Sequence, residues 1–216
     1  VLFTLVLSAC ASTPSVDASL ARHLEPLLPT QVLLVGEQHD APAHQSWHRR
    51  IVAHLAQGQA LAALVLEMAP AGTSTAALDA QASETQVREA LRWDERAWPW
   101  GAYGPAVMAA VRAGRPVFGG NLPTEQMRER MRDASLDARL PAAALARQQA
   151  LIREGHCKLL PEAQIGPMTR IQIARDLRMA QTIEAALAQA TPGQVVVLIS
   201  GSVHADKQLG VPQHLG

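Results

Sequence analysis

The chain has 216 residues, of which 48% are hydrophobic and 18% are charged, and its 19 basic and 19 acidic residues cancel. This length suits one full-sized domain better than two. The balanced charge argues against binding to nucleic acid by electrostatic attraction. No apolar stretch reaches the roughly 18 residues of a membrane-spanning helix, which argues against a protein with several membrane spans.

Residues 1–9 form a short apolar run that ends just before Cys10. Small residues before a cysteine, behind an apolar run, resemble a bacterial lipobox, in which the cysteine is diacylated and becomes the new N-terminus. We therefore interpret residues 1–9 as the remainder of a signal peptide and residues 10–29 as a lipidated tether that begins with a Ser/Thr/Pro-rich stretch. A buried N-terminal strand is the alternative interpretation.

The residue after Cys10 is Ala11 rather than Asp. Under the usual sorting rule for such lipoproteins, this residue favours export to the outer membrane, where two acyl chains would anchor the protein. We therefore expect a lipid-anchored outer-membrane protein that faces the periplasm. Acylation of Cys10 would leave Cys157 without a partner for an intramolecular disulfide.

Apolar runs and helical patterns alternate along the rest of the chain. Four apolar runs predict buried strands at 31–36, 61–68, 116–119 and 194–200. Helical patterns cover 43–55, 105–113, 124–132, 141–153 and 168–190. This alternation predicts an α/β domain over residues 30–216, with a mostly parallel central sheet flanked by helices. Residues 71–103 interrupt it, and we expect there a helical and aromatic insertion with two short helices.

Polar residues lie at the end of every predicted strand. In chain order they are Glu37, His39, Glu67, Asn121 and His204. Because ligands of an open parallel sheet bind beyond the carboxyl ends of its strands, we expect these side chains to meet at one rim. Carboxylates and imidazoles there would ligate a divalent metal, through His39, Glu67 and His204, or would act as acid and base.

Each of these residues taken alone has a plainer interpretation. A single strand-end Glu or His is more often a helix cap or a solvated loop residue, and Asn121 is as readily a turn former. Their occurrence at successive strand ends favours a shared site. His44 and His48 lie four residues apart and share a helical face. They either extend that site or lie on the solvent face of an amphipathic helix.

Aromatic residues are concentrated before the third predicted strand. Three of the four Trp and the single Tyr of the chain fall within residues 93–103. Trp98 and Trp100 beside Arg96 would suit a planar ligand such as a porphyrin. Tyrosine phenolates are a known type of ferric haem ligand, and Tyr103 would supply one. The same rings would also serve to pack the insertion onto the sheet, and composition alone favours packing.

Several stretches together resemble the ChaN-like family of haem-binding lipoproteins, within the wider superfamily of Tiki, TraB and erythromycin esterase. The matching stretches are residues 36–40, 66–68, 98–105, 119–123, 174–180, 201–204 and 210–212. They follow one another in family order over nearly the whole chain beyond the tether.

The resemblance implies an outer-membrane lipoprotein that binds haem and assists the uptake of haem or iron. It further implies a dimer with haem held at the interface through a Tyr, and a haem or iron receptor as a partner. By position it makes Tyr103 the axial iron ligand and places Glu37, His39, Glu67 and His204 in the polar site of the superfamily. Some relatives use that site for metal-dependent peptide cleavage or lactone hydrolysis, so a metal-dependent hydrolase is the alternative function.

Overall fold

The computed structural model describes residues 18–216. Cys10, the predicted lipidation site, and the first part of the predicted tether lie outside the described residues. The described chain begins with helix α1 (Ala18–Leu24), and a 3-10 turn (Glu25–Leu27) leads from it toward the sheet. Among residues 18–216, no helix combines the length and the apolar character needed to cross a membrane.

Four parallel strands form the central sheet. They are β1 (Val32–Glu37), β2 (Leu61–Pro70), β3 (Val117–Asn121) and β4 (Val195–Gly201). Their order across the sheet is β1-β4-β2-β3, and every neighbouring pair is parallel. All residues of β4 are buried, as expected for the inner strand of a sheet covered on both faces. The predicted α/β fold with a mostly parallel sheet is confirmed.

Helices cover both faces of this sheet. They are α2 (Pro42–Gln57), α3 (Glu84–Ala90), α4 (Trp100–Arg112), α5 (Thr124–Arg132), α6 (Ala142–Gly155), α7 (Glu162–Leu187) and the short α8 (Ser202–Ala205). Successive β4 side chains alternate between the faces. Val197 packs with α2 and α4 in one core cluster, whereas Leu198 packs against α7 in another. The sheet is therefore sandwiched between α2 and α4 on one side and α7 on the other.

Two helices begin earlier than the sequence predicts. Helix α4 starts at Trp100 and α7 at Glu162, so that Pro105 and Pro167 lie inside them. Each proline is still close to the N-terminus of its helix, where the missing N–H costs only one hydrogen bond to the first turn. The part of the predicted insertion that precedes Trp100 contains a single helix, α3. The sequence predicted two short helices there.

The parallel arrangement brings the carboxyl ends of the strands to one edge of the sheet. Glu37, the last residue of β1, is paired in register with Gly201, the last residue of β4. Glu67 lies near the end of β2, which borders the other side of β4. Because β4 lies between them, Glu37 and Glu67 reach the edge on either side of Gly201.

Candidate functional site

Glu37 is the centre of a first group of polar side chains. Its carboxylate is buried, with the residue 2% exposed. Oε1 accepts a hydrogen bond of 2.6 Å from the Tyr103 hydroxyl and one of 2.7 Å from His39 Nδ1, while Oε2 lies 3.6 Å from His48 Nδ1. A phenol and two imidazoles from α2, α4 and the β1–α2 loop therefore surround one buried carboxylate.

The two imidazoles of this group differ in exposure and in protonation. The hydrogen bond to Glu37 raises the pKa of His39 above its ordinary value, although burial acts in the opposite direction. Burial lowers the pKa of His48, which is almost fully enclosed. The His39 side chain is 42% exposed, and its ring meets the edge of Trp98 at a centroid distance of 4.8 Å. His39 is therefore the imidazole of this group that reaches solvent.

A second group is centred on His204, in α8. His204 Nδ1 lies 2.6 Å from Asp176 Oδ1, and its Nε2 lies 3.4 Å from Glu67 Oε1. The other oxygen of Glu67, Oε2, accepts a hydrogen bond of 2.7 Å from the Gly201 backbone N–H. Glu67, Asp176 and His204 are all buried. One imidazole thus lies between two buried carboxylates, each contributed by a different element.

The pKa values of this group reflect the close contact of opposite charges. Burial alone would lower the pKa of His204, but Asp176 and Glu67 outweigh it and raise the pKa to about 10. Burial acts to raise the pKa of Glu67, yet the hydrogen bonds from His204 and Gly201 lower it to about 2. Burial raises the pKa of Asp176 to about 6, with His204 opposing part of the shift. At neutral pH the group therefore holds an imidazolium between two carboxylates.

Both groups open into one cavity at the carboxyl edge of the sheet. This first cavity has a volume of about 380 Å³. Four of the strand-end residues line it: Glu37, His39, Glu67 and His204. Residues of α6 and α7 form its opposite wall. The structure thus places in one cavity four side chains that come from three strand ends.

A second cavity, with a volume of about 410 Å³, adjoins the first. Asn121, the fifth strand-end residue, lines this second cavity and is not among the residues of the first. Its Oδ1 is buried without a hydrogen-bond partner among the described residues. Glu67 and Arg175 line both cavities, so the two spaces meet at these side chains. Because β3 is the edge strand beyond β2, its end faces the second space.

The two histidines of α2 have different surroundings. His48 faces the Glu37 carboxylate and extends the first group. His44 lies near the start of the helix, and its Nδ1 accepts a hydrogen bond of 3.0 Å from the Gln38 backbone N–H. Only one of the two residues therefore contributes to the buried site, and the other holds the loop that follows β1.

Most of the aromatic segment packs into the fold. Trp100 is buried and donates a hydrogen bond of 2.8 Å from Nε1 to Glu84, and Trp93 lies against both Trp100 and Tyr103, at centroid distances of 5.0 and 6.1 Å. Trp98 is the ring of this segment that lines the second cavity. Since α4 begins at Trp100, its first turn directs Trp100 and Tyr103 inward.

The residues predicted to contact haem therefore do not share one open surface. Arg96 is exposed and lines neither of the two cavities, Trp100 is buried, and only Trp98 borders the second cavity. Tyr103 is 2% exposed. Burial and the hydrogen bond to Glu37 raise the pKa of its phenol above the ordinary value. This arrangement gives no support to a Tyr103 phenolate on iron, which stays a prediction.

The predicted divalent metal site finds no support either. Within residues 18–216, no group of three or more His, Cys, Asp or Glu side chains is arranged to hold a metal ion. Both ring nitrogens of His204 already face carboxylates, and Nδ1 of His39 is bound to Glu37. The donors expected to converge on a metal are thus paired with one another.

Asp176 belongs to the site, yet reasoning from strand ends missed it. It lies in the middle of α7, far from any strand end. A signal was present in the helical periodicity, because Ile173, Met179 and Ala180 place Asp176 on the buried face of α7. A charged residue on the apolar face of a helix is rare unless it is paired, so its position called for a buried partner.

Comparisons with known proteins agree with this architecture. A profile of the family described as "Haem-binding uptake, Tiki superfamily, ChaN" matches residues 23–215. The structure is similar to a solved structure described as cofacial heme binding to ChaN of Campylobacter jejuni, with a TM-score of 0.70 and 23% sequence identity. The likeness covers 89% of this chain and 78% of that chain, and at this identity it shows the fold. A search of curated proteins finds no match.

Proposed function

The chain belongs to the ChaN family of haem-binding uptake proteins in the Tiki superfamily, and from this premise we propose that it binds haem. The observation that carries the proposal is the family match over residues 23–215, which span the whole sheet and both cavities.

The carboxyl edge of the sheet offers space and apolar side chains for a porphyrin. Two adjoining cavities of about 380 and 410 Å³ provide the space. The second has an apolar wall that includes Trp98, Leu122 and Met127, and flat apolar ligands pack well against aromatic and aliphatic side chains. When bound there, haem would supply an iron that takes a side-chain ligand.

His39 is the residue that we propose as this ligand. Its Nδ1 is held by Glu37, whereas its Nε2 makes no hydrogen bond within the described part of the chain. Histidines that bind metals usually donate their second ring N–H to a carboxylate or carbonyl, which fixes the ring and makes the free nitrogen a better donor. At Gly201 a Cβ would lie 3.0 Å from His39 Nε2. The glycine therefore lets this nitrogen approach the end of β4, where a larger residue would collide with it.

Titration with hemin, followed by the Soret band, tests both the function and the ligand. The purified chain should shift the Soret band of hemin. His39→Ala should change the band position and weaken binding by about tenfold or more, which corresponds to about 1.4 kcal/mol. His54→Ala, at the other end of α2 and outside both cavities, is the matched control. No Soret change with the wild-type chain would reject haem binding.

We also propose that the protein is an outer-membrane lipoprotein that faces the periplasm and assists haem uptake. The lipobox-like sequence before Cys10 supports the anchor, and the uptake role is consistent with the family description. We further propose a homodimer and a haem or iron receptor as its partners. Incorporation of labelled palmitate tests the anchor: Cys10→Ser should abolish it and Cys157→Ser, at the exposed free thiol, should leave it unchanged. Labelling that persists in Cys10→Ser would contradict it.

Hydrolysis is a second candidate function, favoured by the Asp176–His204–Glu67 group at the first cavity. In its neutral form His39 would take a proton from water at Nε2, and Glu37 would stabilise the resulting imidazolium. Because both ring nitrogens of His204 face carboxylates, the Arg175 guanidinium in the same cavity is the group that would stabilise the oxyanion on the substrate carbonyl.

Assays on a panel of esters and peptides test this second candidate. Wild-type turnover that His39→Ala removes, and that His54→Ala retains, would support it. The absence of wild-type turnover across the panel would leave the binding function alone.

A further inference from the structure

Arg175 is a cation at the site that has no hydrogen-bond or ion-pair partner in the described part of the chain. It projects from α7 and lines both cavities. Its Nε is buried without a hydrogen-bond partner, and within residues 18–216 its guanidinium makes no hydrogen bond and no ion pair. A guanidinium carries five N–H donors and stays charged at all physiological pH values. The donors of Arg175 are thus available to a ligand in these cavities.

Neighbouring arginines on the same helix do have partners. Arg170 binds both carboxylate oxygens of Asp137, at 2.9 and 2.7 Å. Arg178, one turn beyond Arg175, reaches Gln126 at 3.5 Å. Burying the Nε–H of Arg175 without a hydrogen-bond acceptor is costly. The exception at Arg175 therefore distinguishes this position from the rest of the helix.

Gln148 provides a second, independent sign of a ligand in the first cavity. It lies on α6, is 3% exposed, and lines the first cavity together with Arg175. Its Oε1 is buried without a hydrogen-bond partner among the described residues, and its amide makes no other hydrogen bond there. Buried polar groups are nearly always satisfied, so an unsatisfied one indicates a bound water or ligand. The amide has both a donor and an acceptor to offer.

The charged side chains of the site indicate where an anionic group of a ligand would bind. Glu37, Glu67 and Asp176 are carboxylates and would repel an anion, whereas His204 is enclosed between two of them. Arg175 is the cation on the walls of both cavities whose donors no carboxylate occupies. An acceptor with two oxygens, such as a carboxylate, matches the planar fork of a guanidinium.

We propose that Arg175, assisted by the amide of Gln148, binds a carboxylate of the ligand, namely a propionate of haem. This inference rests on the proposed haem-binding function. Haem combines an apolar ring with propionate carboxylates, and the site combines the apolar wall at Trp98 with an unpaired guanidinium.

Hemin and hemin dimethyl ester test this inference, because the ester lacks both carboxylate charges and keeps the ring and the iron. The wild-type chain should bind the ester about 10- to 100-fold more weakly than hemin, as expected for the loss of a charge-assisted hydrogen bond. Arg175→Gln should weaken hemin binding by a similar factor and should leave binding of the ester unchanged. Arg178→Gln, which lines neither cavity, is the matched control and should bind both porphyrins like the wild type.

Three results would overturn the inference. Suppose that the affinities for hemin and its ester differ by no more than about twofold, both in the wild type and in Arg175→Gln. The carboxylate then does not contact Arg175, although haem binding stands. If Arg175→Gln lowers thermal stability and leaves the ratio of the two affinities unchanged, Arg175 only offsets the buried carboxylates. If the wild type binds neither porphyrin, the proposed function falls and this inference falls with it.

Discussion

The hydroxyl of Tyr103 donates a hydrogen bond of 2.6 Å to Oε1 of Glu37, and this contact ties the first turn of α4 to the end of β1. Both residues are 2% exposed. A carboxylate buried to this degree needs donors to offset the loss of water, and the phenol supplies one. The single tyrosine of the chain therefore acts as a buried donor to the site and is not presented to solvent.

This relationship predicts the behaviour of Tyr103→Phe. The variant leaves the Glu37 carboxylate with one donor fewer, so the free energy of unfolding should fall by about 1–3 kcal/mol. The Soret band of its hemin complex should match that of the wild type. Denaturant unfolding and hemin titration measure the two effects. Loss of the Soret shift in a variant that still folds would instead identify Tyr103 as the iron ligand.

Stability should decrease as the pH rises through the titration of His204. The pKa of His204 is about 10 in the folded protein against an ordinary value of 6.5. Between these values the folded state retains a proton that the unfolded state has lost, so the contribution is complete below 6.5 and disappears as the pH passes 10. Urea unfolding across this range measures the slope, and His204→Gln should flatten it. If the stability of His204→Gln falls with pH as steeply as that of the control His54→Gln, the pH dependence comes from another group.

Asp176→Asn should be strongly destabilising. The substitution removes one partner of a buried ion pair and leaves His204 with Glu67 alone, which typically costs about 3–5 kcal/mol. Asp137→Asn is the matched control, because the Asp137–Arg170 pair is partly exposed and should contribute about 1 kcal/mol or less. Chemical denaturation of both variants gives the comparison. Equal losses of unfolding free energy in the two variants would mean that the buried Asp176–His204 pair stabilises the fold no more than the partly exposed Asp137–Arg170 pair.

Gly210→Ala should disturb the position of His204. A Cβ at residue 210 would lie 2.1 Å from the His204 carbonyl oxygen, so the backbone of α8 has to move. We expect a loss of about 1–3 kcal/mol, typical of overpacking. Gly101→Ala in α4 is the control, since no atom beyond the chain neighbours and the helix's own backbone lies within 4 Å of the added Cβ, and alanine should stabilise the helix by up to about 1 kcal/mol. Thermal unfolding of both variants tests the contrast, and equal stabilities would contradict it.

The sequence by itself determined the fold and the place of the site. Runs of Val, Leu and Ile mark the strands locally, because a strand covered on both faces has to be apolar along its length. Since parallel strands end at one edge, the same runs bring Glu37, Glu67 and His204 together without knowledge of any contact. The strand order, β1-β4-β2-β3, was not readable in this way, and it is the order that directs Asn121 to the second cavity.

Only the tertiary structure decided which side chains pair. The contacts Tyr103–Glu37, Asp176–His204 and Gly201–Glu67 join residues 66, 28 and 134 positions apart. They depend on how α4 and α7 dock against the sheet, which local hydrophobic periodicity does not encode. The same docking buries Tyr103 and leaves Arg175 without a hydrogen-bond or ion-pair partner among residues 18–216. An electrostatic pair forms over a few ångströms, so its members are known only once the packing of whole helices has brought them within that distance.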